Sequence, residues 1–309
     1  MRLEARSTKL VLCLAAVYLI WGSSFLFTKV AVMHLPATLF SGIRFVAAGS
    51  ILTLLARFWR GAQWPANSSE WRHVSIVAFF MVFTSNGLNA WAIHYLPSSV
   101  AALLNSTAAF WIAGLGVFGR RGHPLTARAS LGLVIGFAGT VLMLMPKGQS
   151  EGYSLYAQVG ALFGCLGWSL GTLYYRSIDT KISSMMFTGL QMLFGGMMLL
   201  GVAVIRNDFA HWSPDQPSMI ALFYLTFFSS CLAYTAYGWL TVNTTPSIIG
   251  TYSYVNPAIA AFLGWQFLHE QLSTLQFLGM FIIIIGVILS TLPGSSFTDA
   301  KALEEPRSQ

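Results

Sequence analysis

Residues 21–29 read WGSSFLFTK and residues 168–176 read WSLGTLYYR. Each stretch opens on a tryptophan, runs through small and aromatic residues, and ends on a basic residue eight positions later. The first lies inside an apolar run from Leu10 to His34. An ammonium at Lys29 is costly in such a run unless it reaches a helix end, a partner or water. The same pattern recurring 147 positions later points to internal duplication.

Working outward, the 309 residues are 55% hydrophobic and 9% charged, with a mean hydropathy of +0.65. That is too little charge to cover a soluble globule. A membrane-crossing helix takes roughly 20 apolar residues. The apolar runs and their breakers predict an all-α polytopic membrane protein with ten transmembrane helices, at 9–31, 36–58, 73–95, 98–119, 127–145, 154–176, 183–204, 217–241, 246–267 and 274–292. The tail from Ser295 is polar and reads as disordered.

The net charge of +7 does not indicate nucleic acid, because the basic residues form short clusters between apolar runs instead of one face. Cys13, Cys165 and Cys231 each lie within an apolar run. They suggest neither a disulfide framework nor a metal site, and no cofactor is expected. Basic residues before LVLCLAAVYLI would suit a signal peptide, but the second copy of this segment stands mid-chain, so the first is read as a retained span.

A shift of 147 lays Trp21 on Trp168, Lys29 on Arg176, Arg44 on Gln191, Gly132 on Gly279 and Gly139 on Gly286. A shift of 149 lays Pro97 on Pro246. The chain therefore divides into 1–147, 148–294 and the tail 295–309, with five helices in each half. Five is odd, so the second half enters the membrane inverted relative to the first. With a cytoplasmic N-terminus, the inner segments hold thirteen Lys and Arg and the outer ones two, Lys147 and Arg206. By the positive-inside rule both termini are cytoplasmic. Arg120 and Arg121, in an inner loop, match His269 and Glu270 in an outer one, as inversion requires.

The chain resembles bacterial members of the drug/metabolite transporter superfamily, in its EamA branch. The resemblance is carried by WGSSFLFTK, by GIRFVAAG from Gly42, by YLPSSVAALLNSTAAF from Tyr95 and by TPSIIGTYSYVNPAIAAFLGWQFLHEQLST from Thr245. It implies a carrier of small metabolites, often an exporter of amino acids or related compounds, with a central cavity lined mainly by helices 1, 3, 4, 6, 8 and 9. Two departures stand out. Asn256–Pro257 and Glu270 fit the family pattern in the second half, but the first half has Thr107–Ala108 and Arg121. A bend in helix 4 is therefore missing or differently made.

Polar and aromatic side chains within the spans are the material for a site. Trp21 and Trp168, Asn86 and Asn89 (three apart on one helical face), Asn105, Tyr234, Tyr252 and Asn256 are the candidate substrate contacts, with Lys29 at a mouth of the pathway. For each Asn, interhelical hydrogen bonding is the competing reading; for Lys29 and Arg176, it is snorkelling to headgroups. Arg44, about eight residues inside helix 2, needs a partner. It is read with Arg176 as a structural or gating charge, a substrate carboxylate being the other option. Aromatic walls suit a substrate with an apolar or planar portion.

All ten Asp and Glu lie in tails, loops or helix ends, so a proton or sodium relay has no obvious carrier. His94 leaves proton-coupled uptake open. The leading expectation is a secondary transporter of the inner (plasma) membrane, working by alternating access and exporting amino acids or related small organic compounds, as a monomer or homodimer. An integral membrane enzyme lacks a His cluster or paired carboxylates. A channel lacks charged rings or a recognisable filter.

Overall fold

The computed structural model describes residues 2–96, 98–116, 127–144, 154–268 and 274–291. Among these, the chain forms ten long helical segments, one short 3-10 helix (Asp208–His211) and no strand: α1 (Arg2–His34), α2 (Ala37–Trp59), α3 (Ser68–Tyr95), α4 (98–115), α5 (Ala127–Leu144), α6 (Leu155–Ser177), α7 (Ser184–Ile205), α8 (Gln216–Asn243), α9 (246–268) and α10 (Thr274–Thr291). Helices α1, α2, α3, α7 and α8 are long and apolar enough to cross a membrane. The tail expected to be disordered, and the loops carrying Arg120, Arg121, His269 and Glu270, lie outside the described residues.

Local chemistry sets the helix ends. Asn67 accepts from the Glu70 N–H at the start of α3, Ser154 from Ala157 at α6 and Ser183 from Met186 at α7, each satisfying an otherwise orphaned donor. At α8, Asp215 and Ser218 form a reciprocal capping box. The Ser218 hydroxyl and N–H hold the Asp215 carboxyl below its ordinary pKa of 3.8.

The last turn of α2, Leu55–Trp59, is π-helical, and two helix interiors also depart from α geometry. Residues Ala78–Asn86 of α3 and Leu225–Ala233 of α8 are π-helical. The two stretches are each nine residues long and stand 147 positions apart. No proline marks them in the sequence. In α4 the helix is interrupted without proline, at Thr107, whose N–H and hydroxyl both donate to the Leu104 carbonyl at 3.2 and 2.7 Å. In α9 the interruption falls at Thr251, whose hydroxyl and N–H donate to the Ile248 carbonyl at 2.6 and 3.3 Å; Pro257, which cannot donate to the Ser253 carbonyl one turn back, lies inside the helix beyond it.

Helix α2 packs along α7 through glycines. A Cβ on Gly49 would stand 2.4 Å from the Leu193 nitrogen, on Gly196 2.7 Å from the Val46 nitrogen, on Gly189 2.6 Å from the Thr53 hydroxyl, and on Gly42 2.7 Å from the Leu200 side chain. Numbers that rise along α2 fall along α7, so the two helices run antiparallel. Moving every residue by 147 exchanges these contacts among themselves. Small residues allow such backbone approach where no aqueous hydrophobic effect holds helices together. Helix α10 packs on α5 in similar fashion, with Gly286 against Gly136. One face of α6, carrying Gly160, Gly164, Gly167 and Gly171, lies on α3.

Candidate functional site

The helices enclose a cavity of about 100 Å³, the space of a few waters or a small organic molecule. Its floor is aromatic. Trp21 stands 5.3 Å from Trp168, 5.8 Å from Tyr234, 5.0 Å from Tyr237 and 5.3 Å from Tyr252, measured between ring centroids. Edge-to-face and tilted pairs at this spacing are the favoured aromatic geometry. The two indoles are positioned through their N–H groups: Trp21 Nε1 donates to the Ser229 carbonyl at 3.2 Å and Trp168 Nε1 to the Tyr237 hydroxyl at 3.0 Å. Ser229 belongs to the π-helical stretch of α8. Such stretches interrupt regular helix bonding and recur at functional sites.

Above this floor the walls are polar. Ser24 and Thr28 come from α1, Ser85, Asn86 and Asn89 from α3, Asn105 from α4, and Ser253 and Asn256 from α9. Asn89 and Asn105 exchange both amide bonds, at 2.9 and 2.5 Å. Asn86 donates to the Met81 carbonyl at 2.7 Å. Asn256, with its amide turned to donate, reaches the Tyr252 and Tyr18 carbonyls, each at 3.2 Å. Every one of these amides makes an internal bond while also facing the cavity, so the two readings of the asparagines are compatible.

Arg44 is also in the wall. Its side chain is 7% exposed, with Nε donating to the Ser230 hydroxyl at 2.8 Å and Nη2 to the Ser229 hydroxyl at 3.0 Å. The guanidinium sits 4.7 Å from the Phe45 ring. Helix 2 was not expected at the cavity, yet both Arg44 and Ser41 line it. The adjacent serines 229 and 230 in a span were a legible polar signal that sequence reading did not connect with Arg44.

Lys29 and Arg176 lie elsewhere. Lys29 Nζ donates to the Ile93, His94 and Leu96 carbonyls at 2.9, 3.4 and 3.2 Å, closing the C-terminal end of α3. Arg176 donates to the Thr241 carbonyl at 3.0 Å and to that of Thr244, closing the end of α8. The residues that opened the sequence reading are thus matched clips on matched helices, at opposite ends of the bundle. A cation there answers orphan carbonyls and the negative end of the helix dipole. Neither lines the cavity. His94, the residue that leaves proton coupling open, contacts the Val32 carbonyl at 3.0 Å, and it too lies outside the wall. Trp111 is exposed.

The cavity is one-sided. In α1 its lining runs from Trp21 toward Lys29. On the Arg176 side of the tryptophans, Thr172, Tyr237, Leu240 and Thr241 are all fully buried, with Thr172 and Tyr237 hydroxyls 2.9 Å apart. Among the described residues, no group of three or more His, Cys, Asp or Glu could hold a metal ion.

Comparisons with known proteins agree with this architecture. The chain is 30% identical over 295 residues to "Uncharacterized inner membrane transporter YedA" of Escherichia coli K12, covering 95% of this chain and 94% of that one. It is 25% identical to "Uncharacterized transporter YvbV" of Bacillus subtilis, covering 91% of each. A solved crystal structure at 17% identity superposes with a TM-score of 0.75, covering 96% of this chain and 99% of its own, which shows a shared fold. A family description, the EamA-like transporter family, matches twice, at residues 8–145 and 155–292. The chain belongs to the EamA-like transporter family.

Proposed function

We propose that the protein is a secondary carrier of the inner membrane that exports small organic metabolites by alternating access. Ten spans form two five-helix repeats, 1–147 and 148–294, of opposite orientation. The supporting observations are the double family match, the antiparallel and mutually exchanging α2–α7 contacts and the π-helical stretches 147 residues apart. The inner-membrane placement draws on the name of the Escherichia coli relative and on the apolar helices.

The observation that carries the carrier reading is a cavity walled by helices from both halves, its lining on the Lys29 side of the tryptophans and fully buried side chains on the Arg176 side. Lys9, Arg57, Arg60, Arg72, Arg176 and Lys181 belong to the buried end by connectivity, whereas Lys29 and Arg206 mark the other. Basic residues resist translocation, so the buried end is cytoplasmic, as are both termini, and the described conformation faces outward. An inward-facing counterpart follows from exchanging the roles of the two halves. The π-helical stretches, at the level of the aromatic floor, supply backbone that can rearrange. Export of amino acids or related compounds, by a monomer or homodimer, remains the specific expectation from family resemblance.

Counterflow in proteoliposomes tests this. A metabolite panel is screened for labelled uptake driven by unlabelled internal solute. A carrier gives saturable trans-acceleration with the solute chemically unchanged. Flux that is linear in concentration and lacks trans-acceleration would show a channel, and chemical conversion would show an enzyme.

A further inference from the structure

We infer that the cavity is built for organic monoanions, with Arg44 as the anion-binding group and the tryptophan–tyrosine floor taking the apolar portion. This deepens the carrier reading and rests on it.

Among the described residues, the cavity wall contains one cation and no carboxylate. Every hydrogen bond that Arg44 makes among the described residues goes to a neutral serine hydroxyl, through Nε and Nη2; Nη1 makes none. A guanidinium withdrawn from water calls for a counter-charge, and among the described residues no acidic side chain stands in the wall. A guanidinium in a cavity wall, with N–H groups left over after its serine bonds, matches a carboxylate. Ser229 and Ser230 hold the fork in place, so little side-chain freedom is lost when an anion docks.

The scaffold does not explain this charge. At the equivalent position of the other half, 147 residues on, stands Gln191, 3% exposed on α7. The same helix-packing site therefore accepts a neutral amide. Arg44 is peculiar to the half whose wall it completes. A substrate ammonium, by contrast, would meet no carboxylate among the described wall residues, which favours a monoanion over a zwitterion.

The charge also bears on direction. With no carboxylate or imidazole in the wall to return a proton, each cycle moves the substrate's own charge. An inside-negative potential then drives anions outward, by about 50-fold in gradient per 100 mV. Export needs no separate ion relay on this account.

The test uses three solutes of one skeleton, phenylacetate (monoanion), phenylglycine (zwitterion) and phenylacetamide (neutral), in equilibrium binding to purified protein and in counterflow at pH 8. Phenylacetate is expected to bind most tightly. Arg44→Gln is expected to weaken its binding at least about 30-fold while leaving phenylacetamide within about threefold, and Arg44→Lys to fall between. In liposomes an imposed inside-negative potential is expected to speed phenylacetate efflux and leave phenylacetamide unaffected. Equal binding of the three solutes, or an unchanged phenylacetate affinity in a folded Arg44→Gln variant, overturns the inference. Counterflow of phenylglycine or phenylacetamide without that of phenylacetate overturns it and leaves the carrier standing. Arg44-dependent phenylacetate binding without exchange across the membrane keeps the anion site and overturns the carrier.

Discussion

Replacing Gly49 or Gly196 by alanine tests the antiparallel seam between α2 and α7. A methyl on Gly49 would meet the Leu193 nitrogen at 2.4 Å, the Gly189 oxygen at 2.8 Å and the Leu193 Cα at 2.8 Å, and one on Gly196 would meet the Val46 nitrogen at 2.7 Å. The obstructing atoms are backbone, which no rotamer change can move. The helices must part by about 0.5–1 Å, which forfeits a quarter to a half of the dispersion attraction along the seam. Overpacking of this kind costs about 1–3 kcal/mol. Gly201 is the control, because a methyl there meets nothing within 4 Å and alanine is the better helix former by up to about 1 kcal/mol. Thermal unfolding in detergent, followed by tryptophan fluorescence or light scattering, should show Gly49→Ala and Gly196→Ala melting several degrees below the parent and by similar amounts. Gly201→Ala should melt at or slightly above it. Parental melting of Gly49→Ala, or one seam variant falling while its counterpart does not, would refute the symmetric seam.

Trp168→Phe keeps the aromatic body but removes the donor to Tyr237, so a stability loss of about 0.5–1.5 kcal/mol should accompany a larger loss of counterflow, since the cavity floor is displaced. Lys29→Gln and Arg176→Gln should each fray one end of the bundle and leave solute affinity near the parental value, because neither residue lines the cavity; hydrogen exchange should rise at the ends of α3 and α8 respectively. Asp215 has a folded pKa below its ordinary 3.8. The sign follows from linkage: its cap contributes stability above the unfolded pKa and loses it as pH falls through the lower folded value. Acid melting below about pH 4 should therefore be shallower in Asp215→Asn than in the parent.

Much of this molecule was legible in the sequence because lipid imposes strict demands. Apolar runs bounded by LP, by basic clusters and by RNDFAHWSPDQP put each helix within a few residues of its observed ends, α1 and α3 excepted, whose polar first turns extend outside the apolar run. The duplicated WGSSFLFTK pattern located the helices carrying Trp21 and Trp168, and the cavity does form around them. Less legible was what the basic ends of that pattern do, because a carbonyl partner is identical at every residue and leaves no mark in the sequence. The π-helical stretches were invisible for a related reason: they change hydrogen-bond register without requiring Gly or Pro. Arg44 showed itself as a buried charge. That it faces a cavity depends on how α2 packs against α8, through Ser229 and Ser230, which hydropathy does not encode.

The central claim is that two opposed halves expose one cavity alternately to the two sides of the membrane. It is tested most directly by single cysteines above and below the tryptophan floor, Thr28→Cys and Thr172→Cys, in a background lacking Cys13, Cys165 and Cys231, probed with an impermeant thiol reagent from each side. The account predicts that Thr28→Cys reacts from the outside, Thr172→Cys from the cytoplasm alone, and that a transported solute shifts the two rates in opposite directions. Reaction of both cysteines from the same side, or of Thr172→Cys from neither side under transport conditions, would contradict it.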